Sequence, residues 1–103
     1  MTSIEEINKM AIGLPAFICI RKFRLPEFIN KKECIVMNLD DHGFGTHWVA
    51  VHTPSKSYFD SFGMAPPNVV PDDYTWNKHT YQKMHEVNCG ERCIEWLRDQ
   101  SKI

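Results

Sequence analysis

Two short runs of strand-forming residues, separated by a turn, constrain this chain more than anything else in it. The first is Gly45-Thr46-His47-Trp48-Val49-Ala50-Val51-His52 and the second is Tyr58-Phe59-Asp60-Ser61-Phe62-Gly63, with Thr53-Pro54-Ser55-Lys56 near the break. β-Branched and aromatic residues favour strands, and two such runs around a turn read as a hairpin. Side chains alternate across a strand, so His47, Val49 and Val51 share one face, as do Tyr58, Asp60 and Phe62. Pairing Val51 with Lys56 sets His47 directly opposite Asp60. Pairing His52 with Ser57 makes them diagonal neighbours on one face, still within reach of a His–carboxylate contact. A slip of one residue puts them on opposite faces. The turn sequence does not select between the two productive registers.

The flanking segments suit a small mixed structure around that hairpin. Ser3-Ile4-Glu5-Glu6 has the form of a capping box, and Ile4, Ile7, Met10, Ala11 and Leu14 recur at helical spacing up to Gly13-Leu14-Pro15. Ala16 to Ile20 reads as a strand or extended segment, and Leu25-Pro26 as a turn or loop entry. Cys34-Ile35-Val36-Met37-Asn38-Leu39 is apolar on both alternating faces, the pattern of a strand buried on both sides. Asp40 and Asp41 open a glycine-bearing loop and are read as turn formers rather than as a metal or acid pair. Met64 to Asp73, with three prolines, is expected to be a connecting loop with room for one helical turn. Trp76 to Tyr81 is expected to form a further strand that leaves Gln82 at its end.

Composition bounds the partners. With 103 residues and 43% hydrophobic content, the chain is expected to form a single globular domain, 1–103. A formal charge of -1 offers no general attraction to nucleic acid or to an anionic membrane. The basic run Arg21-Lys22-Phe23-Arg24 is short and reads as a solvated turn. No apolar run approaches the length of a membrane span, and the opening residues have neither the basic nor the apolar region of a signal peptide. The four cysteines, Cys19, Cys34, Cys89 and Cys93, are therefore expected to be thiols, and the protein is not expected to be secreted.

The last segment carries the reactive chemistry. Asn88 suits an N-cap, and Glu91 three residues on completes a capping-box pattern. Cys89, Cys93, Trp96 and Leu97 line one face of the helix that follows. Cys89 then occupies the first helical position, where unpaired N–H groups and the helix dipole favour an anion. A thiol attacks as its thiolate, and a helix start beside an imidazole lowers its pKa. His47 would supply the imidazole and Asp60 would hold it in the right tautomer. Gln82 and the Cys89 backbone N–H would stabilise an oxyanion, and Gly90 leaves room for substrate backbone.

Gly45-Thr46-His47-Trp48, Tyr58-Phe59-Asp60-Ser61-Phe62-Gly63 and Gln82 followed by Cys89-Gly90 together resemble the adenovirus-type cysteine proteases, the adenains. These belong to the same broad group as the SUMO-specific proteases. The resemblance is nearest to the enzymes of Maverick/Polinton elements and related DNA viruses, is supported by Glu33 to Asp41, and runs from about Phe17 to Leu97. It implies an α+β fold, a small and mostly antiparallel sheet packed against the nucleophile helix, in a minimal version of the papain-like arrangement. It also implies a cysteine endopeptidase that cuts viral precursor proteins after glycine-containing motifs during virion maturation. On this reading the catalytic residues are His47, Asp60, Gln82 and Cys89, and the protein works in the virion and the infected cell without a cofactor. An activating peptide or protein is an open partner. Trp48 would either wall a narrow substrate channel or serve as a core aromatic. Asp60 stands where the adenovirus enzymes have Glu, and their large helical portion is not expected within these residues.

Three other readings compete, one of them a non-catalytic binding domain that keeps the fold and has lost activity, which the competent residues at all four catalytic positions do not favour. His79, His85, Cys89 and Cys93 offer four zinc-type ligands, although without a knuckle-like turn. Within enzymes, the same site would suit removal of ubiquitin-like modifiers with Gly-Gly ends.

Overall fold

The computed structural model describes residues 3–40, 47–77 and 88–102. It is an α+β structure. The first helix, α1, spans Ile4–Met10, and the capping box at its start forms as the sequence predicts. The Glu6 N–H donates to Ser3 Oγ at 3.1 Å and the Ser3 N–H to Glu6 Oε1 at 3.4 Å. Strand β1, Phe17–Arg21, follows, then a 3₁₀ turn over Lys22–Arg24 that leads directly into a one-turn helix, α2, Leu25–Phe28. Leu25-Pro26 is thus a helix start rather than a loop entry. Proline fits the first positions of a helix because the N–H it lacks would have had no partner there.

That short helix changes the sheet. Strands β2 (Cys34–Asn38), β3 (Trp48–His52), β4 (Ser57–Phe59) and β5 (Thr75–Trp76) join β1 in the order β1-β2-β3-β4-β5. The central pairs β2/β3 and β3/β4 are antiparallel, but β1/β2 and β4/β5 at the edges are parallel. The sheet is therefore mixed, not mostly antiparallel. Parallel neighbours need a crossover connection, and the Lys22–Phe28 helical segment provides one between β1 and β2. Buried Leu25 anchors that crossover on the sheet.

Strands β2 and β3 are buried at every position, so alternate side chains feed two separate cores. On one face Cys34, Val36, Trp48, Ala50 and Phe59 pack against Ile7 of α1 and Ala11 at its C-cap and against α3, Cys89–Gln100. On the other face Ile35, Met37, Val49, Val51 and Tyr58 pack with Ile20, Leu25 and Val70. The Arg98 guanidinium ties the two helices of the first face together, donating to the carbonyls of Met10 and Ile12 at the end of α1.

The hairpin turn decides the register that the sequence left open. His52 pairs with Ser57, Val51 with Tyr58 and Ala50 with Phe59. Residues 53–56 form a four-residue loop, closed by the Lys56 N–H donating to the Thr53 carbonyl at 3.2 Å, with Lys56 at φ +49°. His47 and Asp60 are therefore diagonal rather than directly opposed. His47 lies just before β3 and Asp60 just after β4, so both project at the rim of the sheet.

Between β4 and β5 the chain makes turns but no helical turn, and of the strand expected over Trp76 to Tyr81, β5 covers Trp76, Asn77 follows outside any strand, and residues 78–81 lie outside the described residues. No helix among the described residues is long and apolar enough to cross a membrane.

Candidate active site

Asp60 is fixed first, by its own chain. The sequence Asp60-Ser61-Phe62-Gly63 places Asp first and Gly fourth, the preference of a β-turn. The Gly63 N–H donates to the Asp60 carbonyl at 2.8 Å, and Gly63 takes φ +74°, a conformation that favours glycine. The Phe62 N–H donates to Asp60 Oδ1 at 2.8 Å, so the carboxylate is held by its own turn. Asp60 is 1% exposed. Its other oxygen, Oδ2, is buried with no partner among the described residues.

His47 meets that carboxylate. Its Nε2 lies 2.8 Å from Asp60 Oδ1 and, facing an acceptor, carries the proton. The register that pairs His52 with Ser57, continued past the strand ends, brings Phe62 opposite His47. The two rings stack with centroids 4.7 Å apart and planes at 25°. An aromatic face against an imidazolium is an attractive contact and keeps water off the His–Asp hydrogen bond.

With Nε2 engaged, Nδ1 is the nitrogen left for the thiol. It is buried and makes no hydrogen bond of normal geometry, yet the Cys89 sulfur is close enough to couple to the ring. A long nucleophile–base contact is common in an unliganded site and tightens with substrate. Burial alone would pull the His47 pKa down. Hydrogen bonding to Asp60 and Cys89 and the negative charge of both outweigh it, and the pKa is pushed up to about 9.

Cys89 opens α3, and its sulfur is surrounded by donors. The Trp48 N–H donates to Cys89 Sγ at 3.4 Å, and the Gly90 N–H also lies against the sulfur. Burial raises the Cys89 pKa, but His47 and these two amides overcome it, so the thiol lies below its ordinary value. Asn88 occupies the N-cap position as predicted, but its side chain makes no cap hydrogen bond. The capping box expected there does not form. The first-turn amides are thus not taken up by the Asn88 side chain, which keeps the positive end of the helix available to the sulfur.

The other three thiols move the opposite way. Burial pushes Cys19 up to about 12, raises Cys34, and raises Cys93 well above the ordinary range. Cys93 sits one turn after Cys89 and its S–H donates to the Trp48 carbonyl at 3.4 Å. The two cysteines thus bracket one residue's backbone, with Trp48 donating to one sulfur and accepting from the other. That pins the start of β3 to the start of α3.

Trp48 takes the core reading rather than that of a channel wall. Its side chain is 4% exposed and packs in the cluster shared with α1 and α3. Gly90 is buried in the first turn of α3. Gln82 lies outside the described residues, as do Gly45, Thr46 and Asp41. Of the zinc-type set, His79 and His85 lie outside them too, and no three potential metal ligands come together among the described residues.

Sequence reasoning missed two contributors. Phe62 was visible in principle, since it shares parity with Asp60 and one of the two registers opposes it to His47. Asn77 left no local signal. Its Oδ1 accepts the Asp60 N–H at 2.9 Å and its Nδ2 donates to the Asp60 carbonyl at 2.6 Å, a contact between residues 17 apart in sequence.

Comparisons with protein-family models, with curated proteins and with solved structures find no match to this chain.

Proposed function

We propose that this chain is a cysteine-type endopeptidase in which Cys89 is the nucleophile, His47 the acid–base group and Asp60 the residue that orients His47. One observation carries the reading: of four thiols, only the one at the start of α3 is shifted toward its thiolate, and its partner His47 is held 2.8 Å from a buried carboxylate. The Cys89 thiolate attacks the scissile carbonyl carbon, forming a C–S bond and an oxyanion. Collapse of the oxyanion breaks the C–N bond while His47 Nδ1–H protonates the leaving amine. His47, now neutral, takes a proton from water as that water attacks the thioester. The second collapse returns the electron pair to sulfur and releases the carboxylic acid. Asp60 accepts from His47 Nε2 and stabilises the imidazolium. The Cys89 N–H and Gln82 are assigned to the oxyanion.

More particularly, we infer an adenain-like protease that processes viral precursor polypeptides after glycine-containing motifs as virions mature. The support for this narrower reading is the sequence resemblance, carried by Gly45 to Trp48, Tyr58 to Gly63, and Gln82 with Cys89-Gly90. The test is turnover of glycine-containing peptides beside ubiquitin-like fusions, in the parent chain and in Cys89→Ala. Cleavage of the peptides alone, abolished in Cys89→Ala, is the expected result. Preference for the fusions would move the substrate class to ubiquitin-like modifiers. Cleavage that persists in Cys89→Ala would overturn the mechanism.

A further inference from the structure

We propose that Asn77 is a positioning residue for the His47–Cys89 couple, its side-chain amide fixing the Asp60 backbone so that the carboxylate stays aimed at His47. The inference rests on the protease reading above and adds to it a residue outside the predicted set. Main-chain pairing between β4 and β5 ends at Tyr58 and Trp76. Asp60 lies beyond that limit and has no strand partner on that side among the described residues. The Asn77 side chain takes over, and it does so as a peptide mimic, accepting from the Asp60 N–H at 2.9 Å and donating to the Asp60 carbonyl at 2.6 Å. Both backbone groups of a residue that is 1% exposed are satisfied by one side chain, although the Gly63 N–H shares the carbonyl. A carboxylamide of this length is the side chain that supplies one donor and one acceptor side by side.

The consequence reaches the thiol through Asp60. Asp60 Oδ1 serves both His47 Nε2 and the Phe62 N–H, while Oδ2 has no described partner, so the carboxylate has little redundancy in its anchoring. If the backbone beneath it shifts, the His47 contact lengthens and the imidazolium loses its counter-charge. Cys89 then loses the cation that favours its thiolate.

The experiment is the pH profile of Cys89 alkylation by iodoacetamide in the full chain, read by mass mapping, for the parent, Asn77→Ala and Asn77→Ser. In the parent, Cys89 reacts fastest of the four thiols at neutral pH. In Asn77→Ala the low-pH limb of that reaction moves up by about one pH unit, the size expected when an opposite charge is displaced but not removed. In Asn77→Ser, whose hydroxyl replaces one of the two hydrogen bonds, it moves less. Far-ultraviolet circular dichroism reports whether each variant is folded. Limbs that coincide with the parent's in folded variants would overturn the proposal, as would unfolding of both variants, which would assign Asn77 to the fold alone. A parent chain whose four thiols react alike would instead overturn the protease reading on which this one rests.

Discussion

Replacing Asp60 by Asn keeps the shape of the side chain and removes its charge. The Phe62 N–H keeps an acceptor, so the Asp60-Ser61-Phe62-Gly63 turn survives, and the loss falls on His47. His47 owes its pKa of about 9 to Asp60 and Cys89 acting against burial. An opposite charge in contact shifts a pKa by about 1–3 units, and each unit is about 1.4 kcal/mol. Asp60→Asn therefore removes about 1–4 kcal/mol of imidazolium stabilisation. The His47 midpoint then falls by about 1–3 units, and the ring gives up part of its positive charge at pH 7.5. Cys89 loses its cationic partner and its pKa rises. The sign for stability follows from the same shift. A raised histidine pKa contributes stability that is fully present below about 6.5 and is lost as pH rises through about 9. The lowered Cys89 thiol contributes a slope of opposite sign, so the His47 contribution is read in Cys89→Ala, where unfolding free energy from urea titrations should fall as pH rises above about 6.5, a slope that adding Asp60→Asn should flatten. The paired assays are a nuclear magnetic resonance titration of the His47 ring and the pH dependence of peptide turnover. A His47 midpoint that stays near 9 in Asp60→Asn would refute the assignment of its shift to Asp60.

Two further substitutions probe the surroundings. Trp48→Ala should cost about 3–5 kcal/mol of unfolding free energy, as for other large buried aromatics, because its side chain is 4% exposed within the core under α3. A cost below 1 kcal/mol in urea titration would show that Trp48 is not core. Phe62→Ala removes the ring stacked on His47 at 4.7 Å. Water then competes for the His–Asp contact, and the His47 midpoint should fall by about 0.4–0.7 unit, the equivalent of the 0.5–1 kcal/mol of an exposed cation–π contact. An unchanged midpoint would make Phe62 a bystander.

How far the sequence reached depended on the physical range of each signal. Parity is a local rule with a period of two, so the His47–Asp60 pairing was legible from the chain alone, down to two registers. The choice between them rested on Lys56 entering the left-handed region to close a four-residue loop, which a lysine does not advertise. The buried strand Cys34–Asn38 and the capping box at Ser3 followed from patterning and turn chemistry. Helix α2 did not, because a segment of 4 residues is too short to show helical periodicity and its proline suggested a break. Missing it hid the parallel pairing at the β1 edge. The Asn77 clamp was equally hidden, since it joins residues brought together only by the β4/β5 pairing. At Asn88 the local rule lost to the site: the residue stands at the N-cap but its side chain does not cap, and the helix start is left facing a sulfur.

The most direct measurement is labelling of the full chain with a thiol-reactive probe built on a peptide ending in glycine, followed by mapping of the modified cysteine. The assembled site predicts one label, at Cys89, lost in His47→Ala and absent from Cys19, Cys34 and Cys93. Labels spread evenly over the four thiols, or a Cys89 label that survives His47→Ala unchanged, would contradict it.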